Sequence, residues 1–538
     1  GAVGDVYILA GGRTGRDGIH GVTFASRDLD AGSVDDIGAV QLGDPITKEP
    51  LMHLCLELNE MKLLTGMKDL GGGGLSCVVG ELALDGGFGA SVNLEKVPLK
   101  VENMAPWEIW VSESQERMMF TVKPEDVDRV RARCEAWDVE AVPIGEVITE
   151  KRNIVRFNGV EILNLDLEFT TGGPVYNRPY NLPDYDTWPA APLPEYPADL
   201  GKTILDLVSQ PEVASKDWVI RQYDHEVRGK TALKPIQGPI GKDVPGDSSV
   251  LKPVDDSWKG LALTADVNPY LMEANPYHGT MSAVEEVCRN LAAVGARIDS
   301  LADCLCFGNP RKPDIMGQFK ASCEALRDAA MAVDVPYVSG NVSLYNETSD
   351  GAIPPTPVLM GVGLVEDIRN CTTSDMKKDG SIWLIGKTKE EMGASLYYRS
   401  IGKDCPNIPK TDFDSFMPRM EQLILAIEQG EVVACHDIST GGIATAVIEM
   451  CMSGVGASIR LGEDMRADVE LFSESNGRWI VQVANGKDKD FARRFDYATR
   501  IGEVGNKIAF SKGNDVIAEL EIDELRNAWT MPVWDRLA

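Results

Sequence analysis

One pattern occurs twice in this chain, and any fold proposed for it must accommodate the duplication. "KDLGGGGLSCVVGELA" from Lys68 returns as "HDISTGGIATAVIEMC" from His436, with Asp69 and Asp437 368 positions apart. "ESQERMMFTV" from Glu113 returns as "ESNGRWIVQV" from Glu474 at a spacing of 361, and "GEV" at 145 returns at 502 at a spacing of 357. The order is kept while the spacing drifts, as small deletions produce, so these are two copies of one domain. In each, an aspartate and glycines lead into an apolar-periodic run (Leu75, Val78, Val79, Leu82; Ile443, Val447, Ile448, Met450), which reads as a loop entering a helix. The ES segments lead into alternating or wholly apolar strand residues. Each copy is therefore an α/β unit.

Between the copies, residues 174–197 hold Pro174, Pro179, Pro183, Pro189, Pro192, Pro194 and Pro197, the composition of a stiff extended linker. A different unit follows from about 215. It reads as a strand, a PYHG loop, an amphipathic helix from about Thr280 ended by Gly295, and another strand. Nothing in residues 1–175 matches it. The expected domains are 1–173, a linker over 174–214, 215–368 and 369–538. By parity, a half-unit followed by a complete pair implies a first half upstream of Gly1, and the start "GAVGDVYILAGG", without Met and almost directly in a strand, agrees.

The charge balance restricts partners. With 53 basic and 83 acidic residues the net charge is −30, a field that repels nucleic acids and anionic lipid. An anionic ligand then needs locally built donors or a metal ion. The 11 cysteines include no CxxC pair, the closest being Cys304 and Cys306, which suits reduced thiols in the cytosol. No apolar run approaches the roughly 20 residues of a membrane span, so a soluble cytoplasmic protein is expected. The five histidines, at 20, 53, 225, 278 and 436, offer no zinc spacing. Cys435, His436 and Asp437 are adjacent, but strand neighbours point to opposite faces, so they form no nucleophilic triad.

The stretches "GGRTGRDGIHGVTFAS", "KDLGGGGL", "SESQERM", "FGNP", "SGNVSLYNET" and "HDISTGG" resemble the formylglycinamide ribonucleotide amidotransferases, or phosphoribosylformylglycinamidine synthases, along essentially the whole chain. The wider superfamily includes aminoimidazole ribonucleotide synthetase, selenophosphate synthetase and thiamine monophosphate kinase; those carry a single unit, so the duplication favours the amidotransferase. The resemblance implies an α/β (α+β) fold of tandem aminoimidazole-ribonucleotide-synthetase-like units, N-terminal halves with a barrel-forming sheet and C-terminal halves as an α/β sandwich. It implies conversion of formylglycinamide ribonucleotide, ATP and ammonia to formylglycinamidine ribonucleotide, ADP and phosphate, with Mg²⁺ and ATP as cofactors. Competing readings are a noncatalytic nucleotide-binding scaffold of a purine-biosynthesis complex, and a kinase-like ATP-using member of the superfamily that needs no ammonia.

Individual residues take expected roles from the same resemblance. Asp69 is a Mg²⁺ ligand: a carboxylate is a hard oxygen donor, and the four glycines after it let phosphate approach the backbone; the alternative is an aspartate capping the next helix. Gln41, Glu113, Ser114, Gln115 and Ser343 are substrate-binding, Asp303 and Gly340 contact the nucleotide, and Asn341 joins Asp69 as a metal ligand. The resemblance places one active site across the pseudo-twofold between the copies. The family's catalytic histidines fall in the half-unit expected upstream of Gly1, so no catalytic residue is named. No glutaminase unit follows residue 510; ammonia is expected from a separate glutaminase subunit with a small bridging subunit, as in short-form members. Arg13 and Arg16 are placed to meet phosphate, or Arg16 pairs with Asp17 on a surface loop. In the second copy "ADVNPYL" and "ESNGR" depart from the active pattern, leaving Asp437, Gly441 and Gly442 as candidates for an auxiliary phosphate-metal site.

Overall fold

The computed structural model describes residues 1–19, 43–173, 175–182, 193–223, 225–403, 405, 407–495 and 497–537. Gln41 lies outside them. The chain separates into two compact units, Gly1–Asn177 with Glu347–Asp350, and Arg178–Asn346 with Gly351–Ala538.

The first unit is organised by the strand Val6–Gly11. Its alternation sends Tyr7 and Leu9 into one core and Ile8 and Ala10 into another, on opposite faces of the sheet. One core packs against the helix Leu75–Gly86, the other against the helices Pro45–Glu60 and Val127–Ala136. The sheet has seven strands in the order Gly66–Asp69, Arg117–Val122, Val6–Gly11, Ala141–Ile148, Gly89–Asn93, Arg152–Phe157, Val160–Asp166.

The second unit repeats that sheet strand for strand: Val432–Asp437, Trp479–Val483, Ser381–Ile385, Ala498–Gly505, Gly456–Leu461, Ile508–Lys512, Asp515–Leu520. Even the internal proline of the flanking helix recurs, Pro50 in Pro45–Glu60 and Pro418 in Phe413–Glu428. The same unit holds a six-stranded sheet in the order Tyr337–Ser343, Arg297–Cys306, Thr356–Val365, Gly260–Asp266, Ser249–Leu251, Thr231–Leu233. The helix Pro276–Ala293 joins the two sheets: Val284, Val287, Cys288 and Leu291 share one core with Trp383, Met420, Ile424 and Trp479. No described helix is long and apolar enough to cross a membrane.

Two local expectations change. The PYHG segment is not a loop but the first turn of the helix Pro276–Ala293, because the Asn275 side chain accepts the His278 N–H and Pro276 pre-sets the first helical φ. The stretch before 214 is not extended throughout: Asp199 caps the helix Leu200–Val208, whose Ile204, Leu207 and Val208 enter a core with Trp529. Ser339, Gly340 and Asn341 lie inside the strand Tyr337–Ser343, paired in parallel with Arg297–Cys306.

Each copy turns from its glycine loop into the next helix on a glycine that also touches the ES loop. A Cβ on Gly74 would clash with the Ser112 carbonyl; on Gly442, at φ +70, it would lie 2.6 Å from the Leu471 oxygen and 2.7 Å from the Ser473 oxygen. Gly442→Ala is therefore expected to destabilise the protein by roughly 2 kcal/mol or more. Gly430→Ala, at φ +66 with open space around it, carries only the backbone strain of about 1 kcal/mol. Thermal denaturation of the two variants side by side checks the difference.

Candidate functional site

In the first copy the ESQ segment is a short loop between the helix Pro106–Val111 and the strand Arg117–Val122, and a buried arginine shapes it. Arg117 donates Nε to the Ser114 carbonyl at 2.7 Å, Nη1 to Thr14 Oγ1 at 2.9 Å and Nη2 to the Ser112 carbonyl at 2.6 Å. Burial pulls its pKa down to about 10, which still leaves it charged at neutral pH. The second copy repeats all three bonds: Arg478 donates to Ser475 O at 2.7 Å, Thr388 Oγ1 at 2.9 Å and Ser473 O at 2.6 Å. "ESQER" and "ESNGR" carried the signal, an arginine at one position in both copies.

The arginine's loop is stitched to the opening glycine-rich stretch. Ser112 Oγ donates to the Gly15 carbonyl at 2.6 Å, the Gly15 N–H to Ser114 Oγ at 2.8 Å, and the Glu113 N–H to the Asp17 carbonyl at 2.9 Å. Ser114 Oγ in turn donates to the Asp17 carboxylate, which Lys100 Nζ meets at 2.6 Å. Burial works against the charge on Asp17, but the bonds from Lys100 and Ser114 outweigh it and hold the carboxyl below its ordinary range. Asp17 thus turns inward, and Arg16 pairs with Glu108 at 2.8 Å rather than with it; Arg13 pairs with Glu140 at 2.8 Å. Neither arginine presents an unpaired guanidinium for phosphate.

Glu113 and Ser114 are buried, and Glu113 Oε1 accepts the Gly73 N–H of the glycine loop at 2.8 Å. Gln115, whose Nε2 donates to the Glu113 carbonyl at 3.0 Å, faces outward and lines a cavity of about 460 Å³ with Asp69, Lys48, Met52 and Met67. Beyond it Glu116 holds a left-handed φ of 60° and pairs with Lys48 at 2.9 Å. Asp69 ends its strand exposed, and among the described residues its carboxylate takes no hydrogen bond or ion pair. It is not the cap of the next helix, where Gly74 holds the cap position with no side-chain bond. Asp69, Gln115 and the Glu113–Gly73 contact therefore cluster on one side of the first unit.

In the second unit, Asp303, Gly340, Asn341 and Ser343 come together on two adjacent strands. Asp303 pairs in register with Gly340, Cys304 with Asn341 and Cys306 with Ser343. Burial raises the Asp303 carboxyl, against the Asn341 N–H that donates to it. A Cβ at 340 would stand 2.9 Å from Asp303 Oδ1, so a larger residue there would push the Asp303 carboxylate aside. Asn341 is exposed with Nδ2 3.5 Å from Cys304 Sγ, and Ser343 Oγ is 3.3 Å from Asn346 Oδ1.

The counterpart of Asp69 has a different fate. Asp437 is buried, and its Oδ2 accepts Nε and Nη2 of the buried Arg289, both at 3.2 Å. Arg289 also pairs with Glu285 at 2.5 Å. Next to Asp437, His436 Nδ1 lies 2.5 Å from Asp247 and Nε2 3.2 Å from Glu449. Burial opposes protonation of this imidazole, but the two carboxylates outweigh it and raise its pKa well above the ordinary value. Asp247, His436 and Asp437 bring one ligand atom each within 4.8 Å of one another. Asp247 and Arg289 had no sequence signal, since contacts 148 and 189 positions apart only appear once the chain is folded. Cys435 faces the other way into the core, and burial pushes its thiol well up, so it is no nucleophile.

Comparison with known proteins follows the same division. Residues 2–158 and again 377–511 match the family model described as AIR synthase related protein, C-terminal domain, and residues 245–365 match AIR synthase related protein, N-terminal domain. The phosphoribosylformylglycinamidine synthase subunit PurL of Thermoplasma acidophilum is 38% identical over 533 residues, 98% of this chain and 70% of that protein. That of Methanothermobacter marburgensis is 40% identical over 541 residues, 98% of this chain and 72% of the relative. Among solved structures, Thermotoga maritima PurL complexed with FGAR aligns with a TM-score of 0.68 at 24% identity over 94% of this chain and 72% of that one. A structure named PurLQS from the same organism aligns with a TM-score of 0.65 at 23% identity over 94% of this chain and 72% of that one. At such identities the structural likeness is one of fold.

Replacing Arg117 by Met removes a charge and leaves three buried acceptors without their donor. The expected loss is about 3 kcal/mol or more, read as a fall in the urea midpoint of the unfolding transition; Arg117→Lys, which supplies a single donor centre, is expected to fall between Met and the parent.

Proposed function

The chain belongs to the family of phosphoribosylformylglycinamidine synthase subunit PurL, ATP-dependent ligases that form a C–N bond in purine biosynthesis, and we propose how its residues share that work. An amide oxygen is a poor leaving group. Transfer of the ATP γ-phosphoryl group to the amide oxygen of formylglycinamide ribonucleotide gives ADP and an iminophosphate; ammonia adds at the carbon, the C–O bond breaks, and inorganic phosphate leaves the amidine. Such transfers need positioning and charge neutralisation more than covalent help from the protein.

Gln115 is the substrate contact of the first copy: it faces the cavity beside Asp69, with its Nε2 fixed on the Glu113 carbonyl. Glu113 and Ser114 act in the same substrate site from behind, tying the loop to Gly73, Gly15 and Asp17. Asp69 is the metal-binding residue, and the observation that carries this is its exposed, unpaired carboxylate beside a glycine loop. An oxygen donor left open to water fits Mg²⁺, which keeps several waters and takes one or two carboxylates. When bound, the ion neutralises charge on the nucleotide phosphates. In the second unit, Asp303 and Gly340 are assigned to the nucleotide, Asn341 to the metal through its amide oxygen and Ser343 to the substrate, on the strength of the motif "SGNVSLYNET" and their adjacency on two strands. The domain limits 1–173, 174–214, 215–368 and 369–538 are proposed with them.

Partners are proposed on two grounds. Met52, Leu56 and Met67 are exposed, whereas their second-copy counterparts Met420, Ile424 and Cys435 are buried in the core that the helix Pro276–Ala293 completes. We assign the exposed face to a module of the type seen at 245–365, which is also where the family's histidines are expected. The relatives are called subunits, and one solved assembly is PurLQS; a separate glutaminase subunit and a small bridging subunit are the proposed ammonia source.

Asp69→Asn in the full-length protein tests the reading, with ammonium as nitrogen donor and formylglycinamidine ribonucleotide formation as the readout. Turnover is expected to fall at least about 100-fold with unchanged thermal stability, since the side chain supports nothing in the fold. Turnover within twofold of the parent overturns the assignment.

A further inference from the structure

Cys304 and Cys306 stand two apart on the strand Arg297–Cys306, and the Leu305 side chain between them enters the core. Successive strand residues alternate faces, so both thiols lie on the face away from that core, each half-buried. Their sulfurs are 3.8 Å apart. Across the parallel pairing Cys304 meets Asn341 and Cys306 meets Ser343, and the Asn341 carboxamide nitrogen is 3.5 Å from Cys304 Sγ. Two thiols, a carboxamide and a hydroxyl thus share one patch of the six-stranded sheet.

The sulfur spacing indicates what the pair can hold. All 11 cysteines are free, and 3.8 Å is far longer than the S–S bond of about 2.05 Å. Around a tetrahedral ion with zinc–sulfur bonds of about 2.3 Å, two sulfurs stand about 1.63 bond lengths apart, which is about 3.8 Å. The two side chains therefore already occupy two corners of such a site without any movement of the backbone. Soft thiolates select zinc and cuprous ions, whereas Mg²⁺ takes oxygen ligands. Burial and the neighbouring Cys304 thiol push the Cys306 thiol up to about 11, so the empty pair keeps its protons, and both leave to solvent as the sulfurs bind an ion. The net charge of −30 draws cations to the chain as a whole.

We propose that Cys304 and Cys306 form an inhibitory site for a thiophilic cation of the zinc class, completed by Asn341 and water, and that filling it stops the ligase reaction. Binding follows from the thiol pair itself. Inhibition rests on the metal role proposed for Asn341, because an ion held on the two sulfurs engages the carboxamide that Mg²⁺ would use. The site is distinct from the group Asp247, His436 and Asp437, whose ligand atoms include no sulfur.

Cobalt(II), a spectroscopic stand-in for zinc, gives an intense near-ultraviolet sulfur-to-metal band only where thiolates bind it. Titrating the reduced full-length protein with cobalt is expected to raise this band, zinc to abolish it, and Cys304→Ser/Cys306→Ser to lack it. Cys306→Ser alone, its folding checked by thermal denaturation, is expected to weaken zinc affinity at least about tenfold in competition with a chromogenic chelator. At fixed Mg²⁺, micromolar zinc is expected to cut ammonium-dependent turnover at least about tenfold in the parent and less than about twofold in the double variant. No sulfur–cobalt band, a band that survives the double substitution, or equal zinc inhibition of parent and double variant overturns the inference. Asn341→Ala separates it from the proposed Mg²⁺ site: full turnover in that variant overturns the Mg²⁺ role of Asn341, whereas the sulfur–cobalt band is expected to persist in it.

Discussion

Both copies depend on one interaction, a buried guanidinium that satisfies two backbone carbonyls and a threonine hydroxyl at the foot of the ES loop. Arg117 and Arg478 make the same three bonds at the same distances to within 0.1 Å. A loop bent this tightly has carbonyls pointing inward, where water cannot reach them, and unsatisfied buried acceptors are strongly unfavourable. The arginine supplies the donors in a rigid planar fork, so it sets the loop's shape as well as its stability. The neighbouring bonds follow from that shape: Glu113 on Gly73 at 2.8 Å in one copy, Glu474 on Gly441 at 2.7 Å in the other.

On this shared frame the copies diverge in how they treat one carboxylate. Asp69 is left open to solvent, while Asp437 is covered by the helix Pro276–Ala293 and neutralised by Arg289. A charge placed under a helix must be paired, and the pairing uses the oxygen that a ligand would otherwise take. The same fold thus presents an open carboxylate in one copy and a covered one in the other. Glu474, at the foot of the second ES loop, has its carboxyl raised to about 7 by burial despite the two N–H groups it accepts.

Much of this was legible in the sequence, because the duplication carries its own alignment. The repeated aspartate–glycine and ES segments located both sheets, the loop-to-helix transitions and the motif residues that resemble the ligase family. What stayed hidden were cases in which a local cap or a distant partner overrode composition. Asn275 and Pro276 start a helix where the glycine of PYHG suggested a loop, and Asp199 starts another inside a proline-rich stretch. Asp17 reads as a surface partner of Arg16 until Ser114 and Lys100 are brought to it across the fold. The exposure of Asp69 and the burial of Asp437 were equally invisible, since the segments around them differ mainly in what packs above.

Glu116 differs from its second-copy counterpart in backbone strain. It is a side chain other than glycine held in the left-handed region, φ 60°, and the duplicated position has Gly477 at φ 70°. A residue with a Cβ pays about 1 kcal/mol there that glycine does not. The strain is present in the first copy and absent from the second. In the first copy this strained backbone sits directly beside Gln115, with the Glu116 carboxylate anchored on Lys48, so the Gln115 side chain is carried by a turn that the second copy forms with an unstrained glycine.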